Sequence, residues 1–263
     1  MRSQSSFARA RTEEQRAARR AAILEAAASM LAASRVAEFS LNELARRVCL
    51  AKSNVLRYFE SREAVLRELL GLEYDAWLDA IEQDLRGLPG RPQVESWDGR
   101  CQPRGLGQSG SGDQPAPQRG QTSPGEPGPA ETRGQVDRVS LAVARTAAAR
   151  PMMCELLSSA TVLLERNVSA DAAAAYKRKT LARAERLVDT VTAGLPITDP
   201  RSRLQLAGAV NIIVGGVWSL SQPSPGMRAA YQAHPDLAVF RLDFEEMVRE
   251  LVAVVLAGLI ARR

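Results

Sequence analysis

Within seven residues the chain places Lys52, Ser53, Asn54, Arg57 and Tyr58, five hydrogen-bonding side chains interleaved with the apolar positions Val55 and Leu56 and followed by Phe59. On a short helix that spacing turns Val55, Leu56 and Phe59 inward and leaves the polar groups largely outside. Such a set suits the major groove of B-DNA. An asparagine amide pairs with an adenine edge, an arginine with guanine or phosphate, and lysine, serine and tyrosine donate to phosphate oxygens. An ordinary helical hairpin with a polar face has the same spacing, so both readings stand on these residues alone. Two helix N-termini, at Ser40 and at Ser61-Arg62, add free backbone N–H groups of the kind that hold phosphates.

The elements that must position these groups follow from cap chemistry and apolar periodicity. Ser40-Leu41-Asn42-Glu43 reads as a capping box opening a short helix with Leu41, Leu44, Ala45 and Val48 on one stripe. After Cys49-Leu50 the pattern restarts as a helix from Lys52 to Phe59, and the pair forms a helix-turn-helix. Upstream, Thr12-Glu13-Glu14-Gln15 fits a second capping box, predicting a helix from about Glu13 to Ala33 that buries Ile23, Ala27, Met30 and Leu31. Downstream, Ser61 caps a longer helix reaching about Arg86, with Leu66, Leu70, Tyr74, Trp77, Leu78, Ile81 and Leu85 inward. At 1.5 Å per residue it spans about 38 Å, enough to connect two domains.

Charge is placed unevenly. The chain carries a net charge of +5, yet residues 1–70 hold 13 basic and 8 acidic side chains, while residues 71–263 hold 22 of each. A basic head on a neutral body is the electrostatic footprint of a small nucleic-acid-binding domain joined to one of another kind, and a solvated basic tail would look the same.

Gly87 to Gln135 breaks the helical pattern. These 49 residues contain 11 Gly, 8 Pro and 7 Gln and no Ile, Phe, Met or Tyr, so they read as a low-complexity disordered insert. A genuine linker and a translated frame slip both give such a composition. Helices resume at Val136–Ala149, at Pro151, after Ser169, at Asp199-Pro200 to about Leu220, and from about Asp236 to Ala261. The expected organisation is all-α: a basic arm over 1–12, a three-helix helix-turn-helix domain over 13–60, a connecting helix over 61–86, the insert over 87–135, and a helical domain over 136–263. On the last helix Phe240, Phe244, Met247, Val248, Leu251, Val255 and Leu259 form an apolar stripe opposite Arg241, Glu245 and Arg249. The preceding helix carries the small residues Ala207, Gly208 and Gly215 beside Val214 and Trp218. The two helices paired with their symmetry mates would make a four-helix dimer interface; buried within their own subunit they would serve as plain core. Met152, Met153, Leu156, Leu157, Tyr176 and Trp218 could line a cavity or the core, so no ligand residue is assigned.

Catalytic and metal readings find little support. Gly105-Leu106-Gly107-Gln108-Ser109-Gly110 spells G-x-G-x-x-G, but no strand precedes it and no helix follows. No Walker A motif, nucleophile elbow or H-E-x-x-H occurs. His234, the one histidine, sits beside Pro235 at a helix break and reads as a surface or cap residue. Cys49, Cys101 and Cys154 form no C-x-x-C pair, which points to a reducing cytoplasm and to no structural metal. The first thirty residues hold no signal-type apolar core, and the longest apolar run, Leu251 to Ala261, is too short to span a bilayer. No enzyme activity, cofactor, metal or membrane association is expected.

Arg19 to Leu70 resembles the N-terminal domain of the TetR family of bacterial transcriptional regulators. The resemblance rests on Ile23-Leu24-Glu25-Ala26-Ala27, Ser40-Leu41-Asn42-Glu43-Leu44-Ala45, Lys52-Ser53-Asn54-Val55-Leu56-Arg57-Tyr58-Phe59 and Ser61-Arg62-Glu63, in order and spacing over about fifty residues. It implies an all-helical cytoplasmic homodimer on the nucleoid, whose C-terminal domain takes a small-molecule effector and whose head binds a palindromic double-stranded DNA operator, most often as a repressor. By the same resemblance Ser40 and Arg62 take phosphate-contacting positions, Lys52, Ser53, Asn54, Arg57 and Tyr58 belong to the recognition helix, and Phe59 anchors it. Cys49 and Arg35 stand where the family customarily has glycine, and Leu56 where many members have tyrosine. A residue other than glycine at positive φ costs on the order of 1 kcal/mol, which raises a second possibility, a helical dimerisation or adaptor protein with a decayed DNA-binding domain.

Overall fold

The computed structural model describes residues 3–87, 128–160 and 170–262, and every regular element among them is helical. In chain order they are α1 Ser3–Leu31, α2 Leu41–Arg47, α3 Lys52–Leu56, α4 Arg62–Gly87, α5 Pro129–Ala148, α6 Pro151–Ser159, α7 Ala170–Thr192, α8 Pro200–Ser221, α9 Pro225–Ala233 and α10 Phe244–Ala261. The fold is all-α, an N-terminal helix-turn-helix followed by a helical body.

In the head, Ile23, Ala27, Met30 and Leu31 of α1 are buried with Val36, Phe39, Leu44, Ala45, Val55 and Phe59. α4 leaves this cluster and runs through the body, where Tyr74, Trp77, Leu78 and Ile81 are buried in turn, and it packs on α5, α6 and α7. Within the core the Trp77 indole donates to the Thr146 hydroxyl at 2.9 Å. Outside the core α4 carries carboxylates on two sides: Arg183 and Arg186 of α7 meet Asp75, Asp79 and Glu82 on one, and Arg145 of α5 with Arg150 in the turn before α6 meet Asp84 and Glu73 on the other. The equal numbers of basic and acidic side chains in the body are thus matched partly in space, across helices.

Four boundaries differ from expectation, each for a local reason. α1 begins at Ser3, so Thr12 lies within the helix and not at its start; no proline or glycine interrupts residues 3–12, and helix propensity carries through them. α5 begins at Pro129, within the stretch expected as an insert, because Pro129 at the first helical position is followed by helix-tolerant residues that the surrounding composition masks; Gln135 there donates to the Ala193 carbonyl at 3.1 Å. Residues 88–127 lie outside the described part. α3 ends at Leu56, with Arg57 to Phe59 continuing as hydrogen-bonded turns back to Asn54 and Val55. α10 begins at Phe244, capped by the Asp243 carboxylate through Glu246 N–H at 2.8 Å, after a 3-10 turn Pro235–Phe240. Phe240 therefore lies off α10 and is exposed, and the fully inward positions are Val248, Val252 and Leu256, with Leu251 at the rim. Val248 and Leu259 of the predicted stripe are buried, while between them contact with α5 and α8 buries Val252 and Leu256 in place of Leu251 and Val255.

Gly215 takes the second of its two expected uses, packing within its own subunit. A Cβ there would lie 3.3 Å from Ser158 Cα, so this small residue lets α8 close on α6 of the same subunit. α8 is also the one described helix long and apolar enough to cross a membrane by length and composition, and a third of that window is buried against its neighbours.

Candidate nucleic-acid interface

Ser40 adopts an extended backbone, and its hydroxyl accepts the Asn42 N–H at 3.3 Å, which starts α2. Glu43 does not complete the capping box. Its carboxylate turns forward to Arg46 and Arg47, the helix-spaced cations of the last turn. The corner after α2 is a Schellman motif: Leu50 N–H bonds to Ala45 C=O at 2.9 Å and Cys49 N–H to Arg46 C=O at 3.2 Å, with Cys49 at φ 52°. The expected left-handed residue is therefore at Cys49. Arg35 has φ −77° and ψ 155°, ordinary extended backbone, so the strain expected there is absent.

These two angles separate two substitutions. Cys49→Gly is expected to stabilise the protein by about 1 kcal/mol by removing the left-handed penalty. Arg35→Gly is expected to cost about 0.5 kcal/mol through a looser unfolded chain. Urea melts of both variants check the pair; equal shifts for the two would contradict it.

After the corner, α3 exposes Lys52, Ser53 and Asn54, buries Val55 completely, and leads to exposed Arg57, half-buried Tyr58 and buried Phe59. Leu56 was expected inward and is instead 39 % exposed, because α3 is a single turn whose inner side is filled by Val55 and Phe59. One side chain from α1 holds the end of this segment. The Arg20 guanidinium donates to the Tyr58 carbonyl, pairs with Glu68 on α4 and lies 4.1 Å from the centroid of the Phe59 ring.

Between α1 and this segment lies a cleft of about 880 Å³ lined by Gln15, Arg16, Arg19, Asn54, Arg57 and Tyr58 among others. Among the described residues its wall holds three arginines and no carboxylate. Reading the segment alone missed Arg16 and Arg19; their three-residue spacing on α1 was the available signal. Of the other sequence-derived candidates, Ser40 stands at the start of α2. Arg62, at the start of α4, turns its guanidinium back onto the Val36 and Ala37 carbonyls. Ser61 caps α4 by accepting the Ala64 N–H at 3.1 Å.

Head and body meet at Glu155 on α6. One carboxylate oxygen accepts the Val36 N–H at 3.3 Å and the other the Trp218 indole N–H of α8 at 2.9 Å. Trp218 in turn meets Phe244 of α10 edge to face, centroids 5.4 Å apart. Of the six adaptable residues noted in the sequence, Met153 and Leu156 are fully buried core. Met152 and Trp218 line a cleft of about 440 Å³ at this junction, and Tyr176 lines another of about 510 Å³.

A capped helix, a Schellman corner and a donor-bearing second helix, mounted on a helical body, define a DNA-binding transcriptional regulator. The chain belongs to the TetR family: residues 123–263, more than half its length, match the tetracyclin repressor-like C-terminal domain. Among solved structures it is similar to that of a "putative transcriptional regulator from Streptomyces coelicolor A3(2)", with 16 % identity over 91 % of this chain and 96 % of that one and a TM-score of 0.41. No curated protein matches the chain.

Proposed function

We propose that this regulator is a ligand-responsive repressor that binds a palindromic operator in the cytoplasm as a homodimer and has no catalytic role. The observation that carries the DNA contact is the cleft in which Arg16 and Arg19 face Asn54, Arg57 and Tyr58, with no carboxylate among the described lining residues. Asn54 and Arg57 read base edges there, while Lys52, Ser53, Tyr58, Arg16 and Arg19 engage phosphates. Ser40 offers its hydroxyl and the α2 N-terminus to a phosphate. Arg62 has the different task of tying the start of α4 to the loop before α2, and a phosphate would meet the neighbouring backbone instead.

The second copy is supported by an uncovered apolar row on α8. Leu204, Ile212 and Leu220 follow at eight-residue steps, Ile212 is 75 % exposed, and Gly208 and Gly216 between them have open space above. Val254 and Leu251 are exposed on α10, which packs on α8. Four such helices, two from each subunit, close an isologous interface.

The test is a gel shift on the chain's own upstream region with light scattering in parallel. Arg57→Ala is expected to weaken operator binding by about ten- to a hundredfold, from the loss of one base contact worth about 1–3 kcal/mol. Arg16→Ala with Arg19→Ala is expected to lower the slope of log K against log salt by about 2, one phosphate each. Ile212→Glu is expected to convert the dimer to monomer and to abolish operator binding at the same protein concentration. Specific binding that never emerges at low salt, or that survives Arg57→Ala unchanged, would sink the proposal.

A further inference from the structure

The 440 Å³ cleft where head and body meet is built from four parts of the chain: Leu31 and Arg35 come from the head, Glu73 from α4, Met152 and Glu155 from α6, and Trp218 from α8. Its size falls in the range of about 300–1,000 Å³ used by small-molecule sites. The charges that line it fall into two groups. Glu73 and Arg150 pair with each other at 3.3 Å and balance. The other two stand apart. Among the described residues Glu155 meets two neutral N–H donors, Val36 and Trp218, and no cation, while Arg35 is exposed and meets no carboxylate. Half-burial makes a counter-ion valuable to the Glu155 carboxylate. Each of its oxygens holds one N–H and has acceptor capacity left, so a further donor can join without displacing either. Arg35 is mounted one residue before Val36, whose N–H lies 3.3 Å from Glu155. An unpaired anion of the body and an unpaired cation of the head therefore flank one cavity, within the span of a short molecule, and Leu31, Met152 and Trp218 supply apolar lining.

We propose that this cleft is an effector site for a small zwitterion with an apolar side group, of the class of apolar α-amino acids. The ammonium donates to Glu155, the carboxylate meets the Arg35 guanidinium, and the side group lies against Leu31, Met152 and Trp218. Neither charge alone satisfies the site: a simple amine leaves Arg35 unmatched, and a simple carboxylate faces Glu155. This rests on the reading of the chain as ligand-responsive and supplies a place and a chemical class for the ligand. The occupant bridges head and body, because Arg35 precedes α2 and Glu155 belongs to α6. Arg62 holds the Val36 carbonyl, so a bridge between Arg35 and Glu155 fixes the loop that leads into α2 against both α6 and the start of α4.

The experiment is calorimetric titration of the full chain with L-leucine, L-methionine, L-phenylalanine and L-tryptophan, with phenethylamine and 3-phenylpropanoate as single-charge controls. At least one amino acid is expected to bind, and both controls to bind at least tenfold more weakly. Arg35→Ala is expected to weaken that amino acid tenfold or more with the thermal midpoint within a few degrees of the parent, since the side chain is exposed. Glu155→Gln, which keeps an acceptor for one N–H, is expected to weaken it likewise. Added to the operator complex, the amino acid is expected to shift operator affinity at least threefold in the parent chain and not in Arg35→Ala. Absence of binding by all four amino acids overturns the proposal. So do controls that bind as tightly as the amino acid, binding that Arg35→Ala leaves unchanged, and an operator affinity that the bound amino acid does not move. Because calorimetry needs no DNA, a chain that binds the amino acid through Arg35 yet never binds an operator would defeat the repressor reading and leave the site standing.

Discussion

Phe59→Ala is expected to destabilise the protein by about 3–5 kcal/mol, the usual cost of emptying a large aromatic site in a packed core. Phe59 is almost fully buried, and its ring is sandwiched between the head core and the Arg20 guanidinium. The consequence for DNA is larger than for stability. α3 has five residues and no side-chain cap, so its own hydrogen bonds cannot hold it, and its placement depends on Val55, Phe59 and the Arg20 bond to the Tyr58 carbonyl. Operator binding is therefore expected to disappear in Phe59→Ala at temperatures where circular dichroism still shows a folded body. Phe59→Leu, which keeps most of the volume, is expected to retain binding within about tenfold. Gel shift and thermal melts on the two variants decide the matter; a Phe59→Ala protein with parental affinity would show that α3 is held by something else.

The second large effect is expected at Glu155. Replacing it by alanine leaves the Val36 N–H and the Trp218 indole N–H without their acceptor, and each buried donor so orphaned costs about 1–3 kcal/mol. Val36 is fully buried and Trp218 partly so, which places the larger share at Val36. Glu155→Gln tests the geometry more finely. Its one carbonyl oxygen can serve only one of the two donors, so it is expected to recover about half of the loss. Because Val36 also receives Arg62 through its carbonyl, the alanine variant should loosen the loop that leads into α2. Urea midpoints would read the stability, and the salt-matched operator affinity would read the loosening; no change in either would remove Glu155 from its place at the junction.

What was legible in the sequence was whatever the chain encodes locally. Ser40, Ser61 and Asp199 each cap the helix they precede, because a cap needs only an oxygen two or three residues ahead of the N–H it meets. The buried set Ile23, Ala27, Val55 and Phe59 followed from spacing. The TetR family assignment carried the architecture, and the left-handed residue at Cys49 was foreseen from it. Illegible were the features made by partners far along the chain. Nothing near Arg62 says that its guanidinium folds back onto Val36, nothing near Glu155 says that it reaches across 119 residues to the head, and Arg35 needed the actual backbone angle to lose its imagined strain. The start of α10 was misjudged because Asp236 and Asp243 are both competent caps, and only the second is followed by a face that fits between α5 and α8.

The left-handed corner also makes the molecule convenient to observe. Among the described residues it holds two thiols, and they are opposites: Cys49 is exposed at the tip of the corner, while Cys154 is buried, its thiol pushed up to about 12 by desolvation. A maleimide dye on the Cys101→Ser protein should therefore settle on a single atom at the corner between the two helices of the DNA-binding motif. The position that glycine customarily fills then becomes a fluorescent reporter of whether the head is free or seated on a duplex.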